Sequence, residues 1–140
     1  MSFRIEVTRD VPTCQALRRV VFIDEQGVSE AEEVDGLDGK ALHLLAWDAD
    51  CPVGTARLLV KGPVGKIGRV CVLPEVRGTG LGAALIEAAL AELRKQPEVR
   101  EAVLGAQSHA TGFYEKLGFV AEGEEFLDAG IAHRHMRRAL

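Results

Sequence analysis

The residues best suited to chemistry form a glycine-rich turn near the middle of the chain. An apolar run from Val70 to Leu73 has the β-branched composition of a strand and stops at Pro74, which has no N–H to continue a ladder. Glycines follow at positions 78, 80 and 82, at the start of an alanine- and leucine-rich stretch that predicts a helix. Glycines let the backbone approach a ligand, and a helix N-terminus offers unpaired N–H groups and a positive dipole end. With the charge of Arg77 beside it, this segment predicts a cradle for a phosphate group.

Two other classes of phosphate site can be tested against this spacing. A P-loop needs Lys and then Ser or Thr after its last glycine, whereas Gly82 is followed by Ala83 and Ala84, so that class is excluded. The dinucleotide fingerprint Gly-x-Gly-x-x-Gly/Ala is formally met by Gly78, Gly80 and Ala83. Only about 58 residues follow Gly82, which is short for the rest of a doubly wound sheet, at roughly 30 residues for each βαβ unit. A dinucleotide-binding oxidoreductase stays as an alternative.

A second group of candidates is acidic and lies between positions 28 and 40. Gly36 and Gly39 punctuate this polar segment, which we interpret as a loop. Its carboxylates either are solvated on the surface or line a binding cleft, where they would attract a cationic amine. They belong to Glu30, Glu32, Glu33, Asp35 and Asp38.

Cysteine and histidine spacing does not indicate a metal site. Cys14, Cys51 and Cys71 are widely separated, with no CxxC pair, so neither a disulfide framework nor a zinc site is expected. His133 and His135 alternate along a predicted strand with no third ligand nearby, which is typical of ordinary strand residues. We therefore expect no metal, and reduced cysteines in a cytoplasmic protein.

Bulk composition limits the class of protein. A chain of 140 residues with 47% hydrophobic content fits one domain, residues 1–140, around a single core. The net charge of −4 argues against a nucleic-acid partner, which would need a clustered basic face. No apolar run approaches the roughly 20 residues of a membrane span, so no membrane partner is expected.

Periodicity predicts the strands and helices that would position these residues. Alternation of Phe3, Ile5 and Val7 predicts a half-buried first strand. A helix capped by Asp10 is predicted to end near Gly27. The helix at the cradle is predicted from about residue 78 to 95, before Pro97. The remaining predictions are strands at 41–48, 53–61, 66–73, 101–106, 119–126 and 131–138, a helix at 108–117, and a hairpin turn at 128–130.

Two motifs together resemble one protein family over essentially the whole chain. Arg77-x-x-Gly80-x-Gly82 is similar to the Arg/Gln-x-x-Gly-x-Gly/Ala signature of the GNAT acetyltransferase superfamily, whose cradle holds the pyrophosphate of acetyl-CoA. The segment Phe113-Tyr114-Glu115-Lys116-Leu117-Gly118-Phe119 resembles the second motif of the same family. The resemblance implies an α/β (α+β) fold with a mixed, mostly antiparallel sheet of six to seven strands. It also implies helices on both faces and a split at the cofactor strand.

Shorter segments resemble the ElaA-like and YjcF-like branch of this superfamily. They are the segment from Arg19 to Gly27, which resembles the Arg-x-x-Val-Phe-x-x-Glu-Gln segment of that branch, and the shorter Gly130-Ile131-x-His133 and Ala106-Gln107. At the last of these, many members of the superfamily carry Asn before the tyrosine helix, whereas the branch often has Ala-Gln.

The resemblance implies direct transfer of an acetyl group from acetyl-CoA to an amine of a small molecule or peptide. Tyr114 would protonate the departing CoA sulfur, or else it only packs between helix and sheet. Backbone groups of Cys71 and Val72 would hold the pantetheine arm, beside Gln107 and Phe113. The pyrophosphate would be held by Arg77, Gly78, Thr79, Gly80, Leu81 and Gly82.

The sequence leaves open how the acceptor is bound and which group takes its proton. A CoA-binding module without catalysis is compatible with the same motifs, and homodimers are common in the superfamily. The proton of the amine would go either to a side chain or to a relay of waters. The candidate side chains for binding the acceptor or taking its proton are Glu25, Glu33, Asp35, His43 and His133.

Overall fold

The computed structural model describes residues 2–140, which form seven strands and four α-helices. The elements in chain order are β1 Phe3–Thr8, α1 Val11–Arg18, a π-helical segment Arg19–Glu25, α2 Glu30–Glu33, β2 Leu42–Asp48, β3 Cys51–Lys61, β4 Val64–Val72, α3 Leu81–Arg94, β5 Glu101–Gln107, α4 Thr111–Glu115, β6 Val120–Asp128 and β7 Ile131–Ala139. Short 3₁₀ turns cover Asp38–Lys40, Pro74–Val76 and Ser108–Ala110.

All seven strands belong to one sheet, in the order β1-β2-β3-β4-β5-β7-β6. Every neighbouring pair is antiparallel except β4 and β5, which run parallel because the whole of α3 lies between them in sequence. The prediction of a mixed, mostly antiparallel sheet is confirmed.

Helices cover both faces of the sheet, and neighbouring residues of β2 show the two faces. Leu44 belongs to the larger core cluster, with the apolar side of α3. Leu45 points the other way and packs in a second cluster with Cys14 and Leu17 of α1 and with Cys71 of β4. The predicted arrangement with helices on both faces is therefore confirmed.

The sheet is split between β4 and β5. Their parallel pairing covers only Val64–Lys66 against Glu101–Val103, and beyond that point the two strands separate. A bulge in β4 adds to the separation: Arg57 of β3 pairs with Gly68 and Thr55 with Cys71, so two residues of β4 lie opposite one of β3. One of the two, Arg69, has a positive φ of 50°. The split at the predicted cofactor strand is confirmed.

The first helix differs from the prediction after Arg18. Its start is confirmed, since the Asp10 carboxylate accepts the N–H of Thr13 at 3.2 Å. The helix does not remain α-helical to Gly27, because from Arg19 the turns widen and Gln26 N–H donates to the carbonyl five residues earlier.

Other boundaries also differ from the sequence prediction, each for a local reason. Residues 28–40 are not all loop, because Ser29 caps α2 by accepting the N–H of Glu32. Helix α3 begins at Leu81 because Gly78 and Gly80 have φ values of +78° and +87°, which lie outside the right-handed helical region. Strand β3 begins at Cys51, inside the expected turn, because a two-residue turn joins it to β2. Helix α4 is shorter than predicted, and the other strand limits agree within two residues.

Candidate active site

A cavity of about 1010 Å³ lies where β4 and β5 separate. Its walls come from the π-helical segment, β4, the glycine turn, β5, α4 and the β6–β7 hairpin. The cavity therefore collects residues that are far apart in sequence. Of the residues predicted for the site, those on its wall are Glu25, Glu33, Asp35, Cys71, Val72, Arg77, Gly78, Gly80, Gly82, Gln107, Phe113, Tyr114 and His133.

Three predicted site residues are not on the cavity wall. The Thr79 hydroxyl donates to the Val76 carbonyl, so this side chain holds the turn together. The Leu81 side chain is buried in the core beneath the cradle. His43 is also buried, with its Nε2 3.0 Å from the carbonyl oxygen of Asp38. Thr79 and Leu81 can therefore contribute only through their backbone, and His43 lies away from the cavity.

The glycine turn has the geometry of an anion cradle. Gly80 is the N-cap of α3 and provides no side-chain cap, which leaves the first N–H groups of the helix without an intrahelical acceptor. A Cβ placed on Gly78 or Gly80 would meet no atom within 4 Å, so both glycines face open space. Unpaired donors, a helix dipole and open space together fit a phosphate group.

Arg77 is already engaged by a carboxylate. Its Nη1 and Nη2 donate to the two oxygens of Glu25, both at 2.6 Å, and Nη2 also donates to the Val72 carbonyl at 3.2 Å. The hydrogen bonds from Arg77 lower the pKa of Glu25. Three of the five guanidinium N–H groups are used in this way, so two remain for a phosphate oxygen. Glu25 therefore lies against the cradle and orients its cation.

Gln26, the residue after Glu25, contacts β5 on the other side of the split. The Gln107 amide at the end of β5 donates to the Gln26 side-chain carbonyl at 3.0 Å. The last residue of the π-helical segment, Glu25, thus contacts the cradle, and the residue after it, Gln26, contacts β5, so both lie on the cavity wall. Gln26 was not predicted as a site residue.

Tyr114 lies between the cavity and the core. Its ring makes edge contacts with Phe113, at a centroid distance of 5.0 Å, and with Phe119, at 6.0 Å. Burial raises the pKa of the Tyr114 hydroxyl, so the group stays protonated at neutral pH. A protonated hydroxyl in a cavity wall can act as a proton donor.

Cys71 lies in the same wall but is a poor nucleophile. Burial raises the pKa of its thiol to about 12, so the reactive thiolate is absent at neutral pH. The side chain packs against Cys14 and Leu45, as a small apolar residue would.

The acidic segment is anchored by three arginines. Arg18 Nε donates to Glu33 at 2.7 Å, and its two terminal nitrogens donate to Asp38 at 3.0 and 2.6 Å. Arg57 donates to both oxygens of Asp35, at 2.8 and 2.7 Å, and Arg69 Nη2 donates to Asp35 at 3.2 Å. The carboxylate charges of Glu33, Asp35 and Asp38 are thus matched by those of Arg18, Arg57 and Arg69.

This network changes how the acidic residues are interpreted. Glu33 is only 4% exposed, so it is not a solvated loop residue. Glu33 and Asp35 do reach the cavity wall, where both carboxylates are paired with arginines, and their attraction for a cationic amine stays a prediction. A signal for the network was present in the sequence: Arg57 interrupts the apolar strand 53–61, and a buried arginine needs a carboxylate.

The network predicts a loss of stability in acid. The hydrogen bonds from Arg57 lower the pKa of Asp35 to about 2, compared with about 3.9 for an unfolded chain. Asp35 therefore contributes stability above about pH 4, and this contribution is lost as the pH falls to about 2. We expect Asp35→Asn to flatten the pH dependence of the free energy of unfolding over this range, measured by urea unfolding at a series of pH values.

Asp50 provides the control for this experiment, because it is exposed in the β2–β3 turn. Asp50→Asn should keep the wild-type slope between pH 4 and pH 2. An Asp35→Asn variant with an unchanged slope would show that this carboxylate does not carry the acid dependence.

Residues 2–140 contain neither a cluster of metal-binding side chains nor a helix that could span a membrane. Within this range, no group of three or more His, Cys, Asp and Glu side chains is arranged to hold a metal ion. Among the same residues, no helix is both long and apolar enough to cross a bilayer.

Comparison with known proteins agrees with the geometry. The family model described as an acetyltransferase (GNAT) domain matches residues 11–140. Over 123 residues the chain is 37% identical to the uncharacterized N-acetyltransferase YjcF of Bacillus subtilis, which covers 87% of each chain. It is 35% identical over 128 residues to the protein ElaA of Escherichia coli, which covers 87% of this chain and 82% of ElaA.

A solved structure gives the same result in three dimensions. The crystal structure of an acyl-CoA N-acyltransferase from Pseudomonas aeruginosa matches with a TM-score of 0.85 and 35% identity, over 99% of both chains. The chain therefore belongs to the GNAT acetyltransferase family, whose members transfer acyl groups from acyl-CoA, and within it to the branch that resembles YjcF and ElaA.

Proposed function

We propose that this protein is an acetyl-CoA-dependent N-acetyltransferase, which transfers an acetyl group to an amine of a small molecule or peptide. The observation that carries the proposal is the position of the anion cradle at the edge of a split sheet, with Tyr114 in the wall of the same cavity. Acetyl-CoA supplies the activated acetyl group, and the residues of the chain bind it, orient it and move protons.

The cradle is the proposed site for the pyrophosphate. Backbone N–H groups from Gly78 to Gly82 would donate to its oxygens, and the two remaining N–H groups of Arg77 would supply charge-assisted hydrogen bonds. Phe113 borders this site, since its ring would lie 3.5 Å from a Cβ placed on Gly82. A methyl group at position 82 would therefore make an ordinary van der Waals contact with this ring.

The open edge of β4 is the proposed site for the pantetheine arm. Pairing of β4 with β5 ends at Lys66, so the following residues, through Cys71 and Val72, have backbone groups available on the cavity side. An extended amide-containing arm can pair with such an edge as an added strand would. The bulge at Arg69 lies next to this segment, where an N–H freed from the ladder would polarise the thioester carbonyl.

Direct transfer is the proposed reaction. The Cys71 thiol is protonated, which disfavours an acyl-cysteine route. Tyr114, also protonated, is the proposed acid for the leaving thiolate. The amine would attack the thioester carbonyl, forming the C–N bond as the C–S bond breaks.

Thermal unfolding with CoA, acetyl-CoA and NAD tests the proposal. A ligand that binds only the folded state stabilises it by about 2.7 kcal/mol at a hundredfold excess over its Kd, which is a shift of several degrees in Tm. We expect both CoA ligands to raise the Tm and NAD to leave it unchanged. A panel of amines assayed for thiol release then identifies the acceptor.

Each other outcome of this test has a distinct meaning. Stabilisation by NAD alone would favour the dinucleotide-binding alternative. Stabilisation by CoA with no thiol release from any amine would favour a CoA-binding module without catalysis. Absence of any shift with either CoA ligand would overturn the proposal.

A substitution in the cradle makes the test specific. Gly80→Ala places a Cβ in the open space of the cradle, and we expect it to weaken stabilisation by acetyl-CoA at least about tenfold in Kd, or about 1.4 kcal/mol. The same change strains the backbone, because the φ of Gly80 is +87°. Titration of the Tm shift with acetyl-CoA separates the two effects.

Gly62 offers a matched control for the strain. Its φ is +58°, and a Cβ there would also meet no atom within 4 Å, but it lies in the β3–β4 turn outside the cavity. Gly62→Ala should therefore lose stability without losing acetyl-CoA binding. If both variants bind acetyl-CoA like the wild type, the cradle does not hold the pyrophosphate.

A further inference from the structure

The part of the cavity wall formed by the β6–β7 hairpin carries the imidazole of His133, to which the proposed reaction gives no role so far. His133 of β7 lies in register with Gln107 of β5 and with Phe126 of β6. Paired residues of antiparallel strands point to the same face, and the opposite face carries Leu104 and Met136 into the core. His133 therefore lies on the cavity face, beside the residue that Gln26 contacts.

One hydrogen bond determines the tautomer of this imidazole. His133 Nδ1 is 2.6 Å from the backbone carbonyl oxygen of Ile131. A carbonyl oxygen can only accept, so Nδ1 carries the proton, and in the neutral ring Nε2 has a free lone pair. The ring also stacks on Phe126, at a centroid distance of 5.8 Å and an interplanar angle of 29°, which restricts its orientation. The wall therefore presents a positioned proton acceptor.

The other candidates for a base are committed elsewhere. Glu25 accepts two hydrogen bonds from Arg77. Glu33 and Asp35 are ion-paired with arginines, and His43 does not reach the cavity. A carboxylate held in an ion pair must give up its partner before it can take a proton. Among these candidates only His133 combines a place on the wall with a proton-accepting atom that no ion pair among residues 2–140 engages.

We propose that His133 is the general base of the transfer, an assignment that rests on the function proposed above. As the C–N bond forms, the amine loses one proton to Nε2 of His133. As the C–S bond breaks, the sulfur takes its electron pair and gains the proton of the Tyr114 hydroxyl. The imidazolium then releases a proton to water and the tyrosinate regains one, so both side chains return to their starting forms.

The first test uses the free protein and needs no acceptor. Long-range ¹⁵N–¹H spectra of the histidine rings report which nitrogen carries the proton, and comparison with His133→Asn assigns the signals of this residue. We expect the Nδ1–H tautomer at neutral pH. A ring protonated on Nε2 alone would overturn the proposal whatever the acceptor is.

The second test separates the catalytic role of His133 from the structural role of its hydrogen bond to the Ile131 carbonyl. In His133→Asn the amide nitrogen can donate to the Ile131 carbonyl in place of Nδ1, but nothing replaces Nε2. We expect this variant to keep the wild-type Tm and its stabilisation by acetyl-CoA, while kcat/KM falls at least about 100-fold.

His135 is the matched comparison, because it lies two residues away on the same face and stacks on the same Phe126 at 4.2 Å. His135→Asn should keep a kcat/KM close to that of the wild type. If instead His133→Asn keeps the wild-type kcat/KM, the base is not His133. Failure of the proposed function gives a different result, namely a wild type that releases no thiol with any amine.

Discussion

Replacing Arg18 by alanine is expected to lower the free energy of unfolding by about 3–5 kcal/mol. Arg18 is 1% exposed and its partner Glu33 is 4% exposed, so the change removes the hydrogen-bonded counter-charge of a buried carboxylate. Glu33 then keeps only the longer contact with Arg69 Nε, at 3.6 Å. Asp38 loses two hydrogen bonds from the same guanidinium. Urea unfolding at pH 7 measures the effect directly.

Two further variants test whether burial of the Arg18–Glu33 ion pair is the reason for the large loss of stability. Arg19 pairs with Glu30 on the surface, with exposed fractions of 51% and 67%, and Arg19→Ala should change stability by no more than about 1 kcal/mol. Arg18→Lys keeps the charge but loses the planar guanidinium that donates to Glu33 and Asp38 together. Its free energy of unfolding should therefore lie between those of Arg18→Ala and the wild type. Equal effects of Arg18→Ala and Arg19→Ala would contradict the interpretation.

Replacing Tyr114 by phenylalanine is expected to lower kcat about 100-fold or more, with little change in the KM for acetyl-CoA. Phenylalanine keeps the edge contacts with Phe113 and Phe119, so the packing of α4 on the sheet should survive. Only the hydroxyl is lost, and with it the proposed donor to the leaving sulfur. Steady-state thiol release at saturating acetyl-CoA measures the change.

The protonation state of Tyr114 gives this prediction a second readout. Because burial raises the pKa of the hydroxyl above its ordinary value, the wild type should lose kcat from this group only at a higher pH than an exposed tyrosine would allow. The thermal shift with acetyl-CoA should be equal in Tyr114→Phe and wild type. Unchanged turnover in Tyr114→Phe would leave this residue with a packing role alone.

The arginine–carboxylate network and the cavity are parts of one structure. The network holds the segment that contains α2 and the Asp38–Lys40 turn against β3 and β4, next to the bulge at Arg69. Arg69 has an unfavourable positive φ, and its bonds to the Glu33 carbonyl and to Asp35 help to hold it there. The shape of this part of the cavity wall therefore depends on buried charges that are paired with one another.

The secondary structure could be predicted from the sequence where the pattern was local. Alternation identified β1, and the Asp10 cap identified the start of α1, because both signals act within a few residues. The π-helical segment and α2 were missed. Hydrophobic spacing does not distinguish α from π turns, and α2 is a single turn in a stretch dominated by charge.

The sequence by itself determined the cradle and the family. The glycines, the helix start and the tyrosine motif act through local backbone geometry, so their meaning can be read without the rest of the chain. Only the tertiary structure decided which charged side chains are free for chemistry. Glu25 lies 52 residues from Arg77 in sequence, and Glu33 lies 15 from Arg18, yet packing brings each pair into hydrogen-bond contact. Because an ion pair depends on the approach of two side chains in space, the sequence could not show that Glu25, Glu33 and Asp35 are paired with arginines, whereas His133 lies on the cavity wall outside any ion pair among residues 2–140.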